Sequence, residues 1–236
     1  MGLNIVVGYL DDLLKHDEEG ASWHRQVLDD LNVLLAEAGE APHHEPEVIE
    51  GGSQSWESYG YSGLHHVRRL AAWLTINRCL PPKCAYEKAA DDAVLAQFYH
   101  DHEEFLRRGF KKGLFGFFRR ERPPFSHLML HSDAEGFYLP RVLTEVVFDQ
   151  HSPQRDGIGG MVGSAEVLLA ECRELAQALS IPAGLDPECE EVYENVEAPP
   201  SNGEPWQCLP IETYVITRLI AACERSLETK ALVVFS

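Results

Sequence analysis

The stretch FSHLMLHSDAEGFYLPR, Phe125 to Arg141, decides how the middle of the chain is read. FSHLMLHS and GFYLPRVLTEVVF are rich in aromatic and branched residues, and Asp133 to Gly136 places turn residues between them, which predicts a hairpin. Gly136 supplies the positive φ that closes the turn. Pro140 has no N–H for a ladder, so the second strand should be an edge there, or bulged. Side chains alternate along a strand, which sets His127, Met129 and His131 on one face. Asp133 and Glu135 extend that face only if the strand runs on unbroken.

Outward from this segment, LNIVVGYL (Leu3 to Leu10) is a short β-rich run and ALVVFS closes the chain with another. Apolar residues at helical spacing mark helices through Trp23, Val27, Leu31, Leu34 and Leu35, stopped by Gly39, and through Leu64, Val67, Leu70 and Leu74. A third helix is expected from about Glu87 to Arg108. A fourth follows the N-cap Ser164 with Leu168, Cys172 and Leu175, and a fifth runs from about Ile211 to Glu228. The loop APHHEPEVIEGGSQSWESYGY and the glycine-rich DGIGGMVG are read as irregular. The expected fold is a single α+β domain, 1–236. Its sheet is small and mostly antiparallel (N-terminal strand, central hairpin, C-terminal strand), packed against about five helices.

Charge narrows the function classes. The chain of 236 residues carries 20 Lys and Arg against 38 Asp and Glu, a net charge of −18. Such a chain repels phosphates and anionic lipid, so nucleic acid is not expected as a partner. Residues 107–122 run the other way, with seven cations and one anion. They form part of a basic, aromatic insertion near 107–125. Through Arg107, Lys111, Lys112, Arg119 and Arg120 it offers a weak contact to an anionic surface. Residues 182–210 form an acidic, proline-rich excursion. No apolar run reaches the ~20 residues of a membrane span, and the start lacks a basic leader, so the expected compartment is the cytoplasm. The six cysteines form no C-x-x-C. Whether Cys79 and Cys84, which bracket CLPPKC, pair is left open.

Two constellations could carry chemistry. His131, Asp133 and Glu135 are the catalytic candidates of the hairpin, and with His127 they could bind a divalent metal such as zinc. The competing reading makes HSDAEG a plain structural turn, with no metal or cofactor expected. SGLHHVRR sets His65, Arg68 and Arg69 at helical spacing away from the apolar stripe, where they could bind an anion or make ordinary surface ion pairs. P-loop, nucleophile-elbow, H-E-x-x-H and zinc-ribbon patterns are missing from the sequence.

SWESYGYSGLHHVRRLAAWL, HSDAEGFYLP and GGMVGSAEVLLAE resemble the recurrent segments of a family of uncharacterised bacterial proteins. The resemblance implies a bacterial, cytoplasmic protein without an assigned activity. The function expected is binding of an unspecified protein or small molecule at a polar pocket near the 126–143 hairpin. The alternative is a metal-assisted hydrolase using His127, His131 and Asp133.

Overall fold

The computed structural model describes residues 3–102, 123–131, 136–143, 145–149 and 157–235. Strand β1 (Asn4–Val7) is built of NIVV, and Gly8 ends it at φ 81, turning the chain into helix α1 (Tyr9–His16). Asp17 accepts the Gly20 amide at 2.9 Å and caps α2 (Glu18–Ala38), which stops at Gly39 with φ 77. Strand β2 (Gln54–Glu57) and helix α3 (Gly60–Ile76) follow. Next come a 3₁₀ turn (Tyr86–Lys88), α4 (Ala93–Asp101) capped by Asp92, and the one-turn α5 (Ser126–Met129). Strands β3 (Gly136–Leu139), β4 (Val147–Phe148) and β5 (Met161–Ser164) lead into α6 (Ala165–Ala178). Helices α7 (Glu190–Glu197), α8 (Pro205–Cys208) and α9 (Pro210–Thr229) and strand β6 (Val233–Phe235) complete the chain.

The six strands form one sheet in the order β2-β1-β6-β3-β5-β4. Alternation along β3 splits its side chains between two layers. Phe137 and Leu139 join Val162, Leu232 and Val234 under the α2 stripe of Val27, Leu31 and Leu35. Tyr138 faces the larger core with Ile5, Val7, Val233 and Phe235, under α3, α6 and α9. Helix α9 is buried on most of its sides, from Glu212 through Leu219 to Ser226, so it is an interior helix, not an amphipathic cover.

Three expectations require correction. The sheet is mixed, because β5 inserts between β3 and β4 and runs parallel to β3, with Phe137 opposite Val162. Nine helices, not about five, occur among the described residues. The hairpin is not formed, because residues 126–129 are helical. The Glu171 carboxylate, reaching over from α6, accepts the amides of His127 and Leu128 at 3.1 and 2.9 Å. That tertiary cap holds a helical turn where apolar residues alone suggested a strand. Gly136 does take a positive φ of 141, but at the head of β3. β3 ends at Leu139, one residue before Pro140, and lies inside the sheet between β6 and β5. Cys79 and Cys84 are both free thiols.

Below α2, His24 packs edge-on against Tyr9 at 5.0 Å, and its Nε2 has no hydrogen-bond partner. Burial pushes its pKa down to about 4. The folded protein therefore holds this ring neutral where the unfolded chain, titrating at the ordinary value of 6.5, takes up a proton. Stability from this group is full above pH 6.5, falls as the pH drops, and levels off below about 4. At pH 5 the loss should be about 2 kcal/mol. Denaturant titrations at pH 7 and pH 5 should show wild type losing that much more than His24→Phe, and equal losses would remove the account.

Candidate protein-interaction face

The residues singled out by sequence are drawn inward. The His131 ring stacks on Tyr138 at a centroid distance of 5.3 Å and against Phe235 at 4.1 Å. His127 Nδ1 accepts the Ser164 amide at 2.9 Å, and its carbonyl accepts the Tyr138 hydroxyl at 2.8 Å. Arg68 is buried and donates to the carbonyls of Leu128 and His131, at 3.2 and 2.6 Å. Helix α3 and the His131 segment therefore do meet, but through main-chain oxygen. His65 is half-buried on α3. Asp133 and Glu135 lie outside the described residues, as do Arg107, Lys111, Lys112, Arg119 and Arg120. Among the described residues, no group of three or more His, Cys, Asp or Glu is placed to hold a metal ion.

Arg69 points into a second buried network. Its Nε donates to Asp92 at 2.7 Å and a terminal nitrogen donates to the Pro82 carbonyl at 2.7 Å. Burial raises the Asp92 carboxyl, but Arg69, the Val94 and Leu95 amides and the Trp73 indole outweigh it and hold Asp92 below its ordinary range. His66 sits between two acceptors, the Tyr86 carbonyl at 3.1 Å and Glu212 at 3.3 Å. These contacts tie α3, α4 and α9 together. Arg68 and Arg69 were expected on the outward face of α3, and both lie inside.

The outer surface is organised around other residues. Two segments contain no Lys or Arg: 26–67, with eight carboxylates, and 174–217, with nine. They meet where β2 and the start of α3 lie beside α7 and α9. Tyr59 packs edge-on to Tyr86 and to Tyr214, each at 5.3 Å, and Tyr193 packs edge-on to Tyr214 at 5.6 Å. Burial lifts the Tyr214 hydroxyl to about 12; the Arg218 charge opposes this, and Tyr193, Glu57 and Glu188 add to it. Burial, then Tyr86 and Glu197, raise Tyr59 in the same way. One carboxylate from the first segment and two from the second thus act on the same ring cluster.

Arg218 holds the second segment in place. It is fully buried, with its guanidinium carbon 3.4 Å from the Tyr214 ring centroid and 5.1 Å from that of Tyr193. It donates to the Tyr193 hydroxyl at 2.8 Å and pairs with Glu188 at 2.8 Å, and Tyr193 in turn donates to Glu188. Glu190, Glu191, Glu194 and Glu197 remain exposed along α7.

Other cations are also spent on main-chain oxygen. Lys83 donates to Pro200, Arg141 to Ala41 and Pro42, and Arg225 to Glu50 and Gly52, all at carbonyls. Among the described residues twelve Lys and Arg face 32 Asp and Glu, 12 − 32 = −20. With Arg68, Arg69 and Arg218 included, six of those twelve direct N–H groups to carbonyls, which leaves the surface carboxylates poorly compensated.

A family model described as "Putative DNA-mimic protein" matches residues 1–235. The chain belongs to that family. Searches of curated proteins and of solved structures each gave no match. Membership corrects the expected partner. In place of an unspecified protein or small molecule with a weak anionic-surface contact, the family's description implies a protein that binds DNA. Among the described residues no helix is long and apolar enough to cross a membrane.

The geometry makes Arg218 the anchor of the acidic segment. Arg218→Met keeps the volume and the apolar stacking but loses the bonds to Tyr193 and Glu188, so stability should fall by about 1–3 kcal/mol. Limited proteolysis should then cut within 183–204 before the rest of the chain. An unchanged cleavage pattern would show that the anchor lies elsewhere.

Proposed function

We propose that this protein binds a DNA-binding protein by presenting carboxylates where that protein expects phosphates, from the face formed by β2, α7 and the tyrosine cluster. The observation that carries this reading is the meeting of the two segments without Lys or Arg, 26–67 and 174–217, around Tyr59 and Tyr214. The spacing of charge supports it. Glu190, Glu191, Glu194 and Glu197 fall along one short helix at roughly one carboxylate per 3 Å of axis, given the 1.5 Å rise. Each strand of a duplex carries one phosphate per about 3.4 Å. Residues on a protein that read phosphates, chiefly Arg and Lys, recognise carboxylates by the same charge-assisted hydrogen bonds. The exposed ring of Tyr193, between Glu191 and Glu194 in sequence, adds apolar contact area that a phosphate backbone lacks.

Competition against labelled duplex tests the reading. Duplex is pre-bound to a helix-turn-helix protein in the major groove or to an architectural protein in the minor groove. The wild-type chain should release duplex from at least one class, with an effect that fades steeply as salt rises. A variant carrying Glu190→Gln, Glu191→Gln, Glu194→Gln and Glu197→Gln should be weaker by about ten-fold or more, since four phosphate-like charges are gone. Release that is absent at low salt across both classes, or equal for the variant, would contradict the proposal.

A further inference from the structure

Strand β2 closes one end of the sheet, and its outer side is unpaired among the described residues. Which of its main-chain groups face outward follows from the register. Ser58 N donates to Leu3 O at 2.9 Å, and in the β1–β2 register Asn4 lies opposite Glu57, so Leu3 and Ser58 are a directly opposed, hydrogen-bonded pair. Antiparallel ladders alternate. Trp56 and Gln54 therefore bond β1, while the N–H and C=O groups of Ser55 and Glu57 point away from it. Gln54, Ser55 and Glu57 are exposed, with Trp56 turned partly into the core.

The ends of the strand are turned sharply. Gly51 and Gly52 precede it at φ 79 and 75, and Tyr59 and Gly60 follow at 58 and 64. Tyr59 is not a glycine, and it is held in that unfavourable region by the Tyr86 hydroxyl, which donates to its carbonyl at 2.9 Å. The outward main-chain groups of Ser55 and Glu57 are thus fixed on a strand that leads into Tyr59, whose ring packs on Tyr214 at 5.3 Å, and Glu57 itself lies on that strand.

Resting on the function proposed above, we infer that the β2 edge receives an extended, cationic segment of the DNA-binding partner as a seventh strand, bonded through Ser55 and Glu57. Charge selects this occupant. The segment that contains β2 has eight carboxylates and no Lys or Arg. With Glu45 buried against His43 and Glu47 paired with Arg25 it keeps a net negative charge, Glu57 on the strand included, so an extended segment carrying Lys or Arg is attracted. A second copy of this chain would instead set two strongly negative edges against each other. Main-chain bonds supply affinity in such strand addition, and side chains choose the sequence.

The probe is a labelled peptide of alternating Lys and Val, about twelve residues long, compared with an isomer of the same charge whose amides are methylated on alternate residues. Fluorescence anisotropy should show the wild-type chain binding the plain peptide about ten-fold or more tightly than the methylated one. Ser55→Pro should erase that preference. The substitution removes an outward amide that makes no bond to β1, so circular dichroism and the melting curve should stay close to those of wild type. Equal affinity for the two peptides would overturn the inference, and duplex competition then separates the causes. A wild-type chain that still releases duplex leaves the charge-based function standing without strand addition, whereas one that releases none loses both. A wild-type dimer that Ser55→Pro dissolves would assign the edge to a second copy, which also overturns the inference.

Discussion

The structure depends on a buried helix that carries charge. α9 is covered by α3, α6, α7 and the sheet, yet it contains Glu212 and Arg218, both nearly without solvent exposure. Charges in such a place are tolerated only when paired and hydrogen-bonded. Glu212 meets its requirement through His66 and Arg69, and so ties α3 to α9. Arg218 meets its own by reaching outward to Tyr193 and Glu188, which brings the acidic segment onto the body of the protein. One helix therefore supplies both the core and the attachment of the surface that the family relationship makes most interesting.

That attachment explains how a chain with so many carboxylates can display them. In an ordinary domain, surface Lys and Arg neutralise neighbouring acids. Here Arg69 and Arg218 are internal, and Lys83, Arg141 and Arg225 fasten loops by their carbonyls. Of these side chains only Arg218 pairs with an exposed carboxylate, Glu188, and the others stabilise the fold through carbonyls or the Asp92 and Glu212 network. The arrangement has an electrostatic cost, because uncompensated negative charge repels itself, and the cost falls as salt rises. A surface that favours a cationic partner at low salt follows from the same imbalance.

Local features of this architecture were legible in the sequence, and non-local ones were not. The stop at Gly39, the cap at Ser164 and the Leu168–Cys172–Leu175 stripe depend on residues within a few positions of each other, and pattern alone finds them. The helical turn at Ser126 depends on a carboxylate more than forty residues away, at Glu171, and the pattern read as a strand. β2 was hidden in a Pro/Gly/Ser-rich loop because QSWE is exposed on most of its length and shows no alternation. β5 looks like part of a glycine-rich loop in sequence, since MVGS owes its state to insertion between two other strands. His127 and His131 drew attention because histidines, an aspartate and a glutamate are neighbours in sequence, but both rings turn into the protein. Arg218 was missed, although a signal existed: it is the first Lys or Arg after Arg173, and it stands in an apolar helix. A lone cation after a long acidic run invites the question of what it pairs with.

The most direct measurement is amide hydrogen exchange on the full chain, alone and saturated with a DNA-binding protein that it releases from duplex. Slower exchange should appear at Ser55 and Glu57, whose amides face outward on β2, and across residues 186–204, with little change along α6. Protection at α6 or β4 that leaves both of those segments unchanged would contradict the account, because the partner would then be held by a surface with neither the exposed strand edge nor the Arg218-anchored carboxylates.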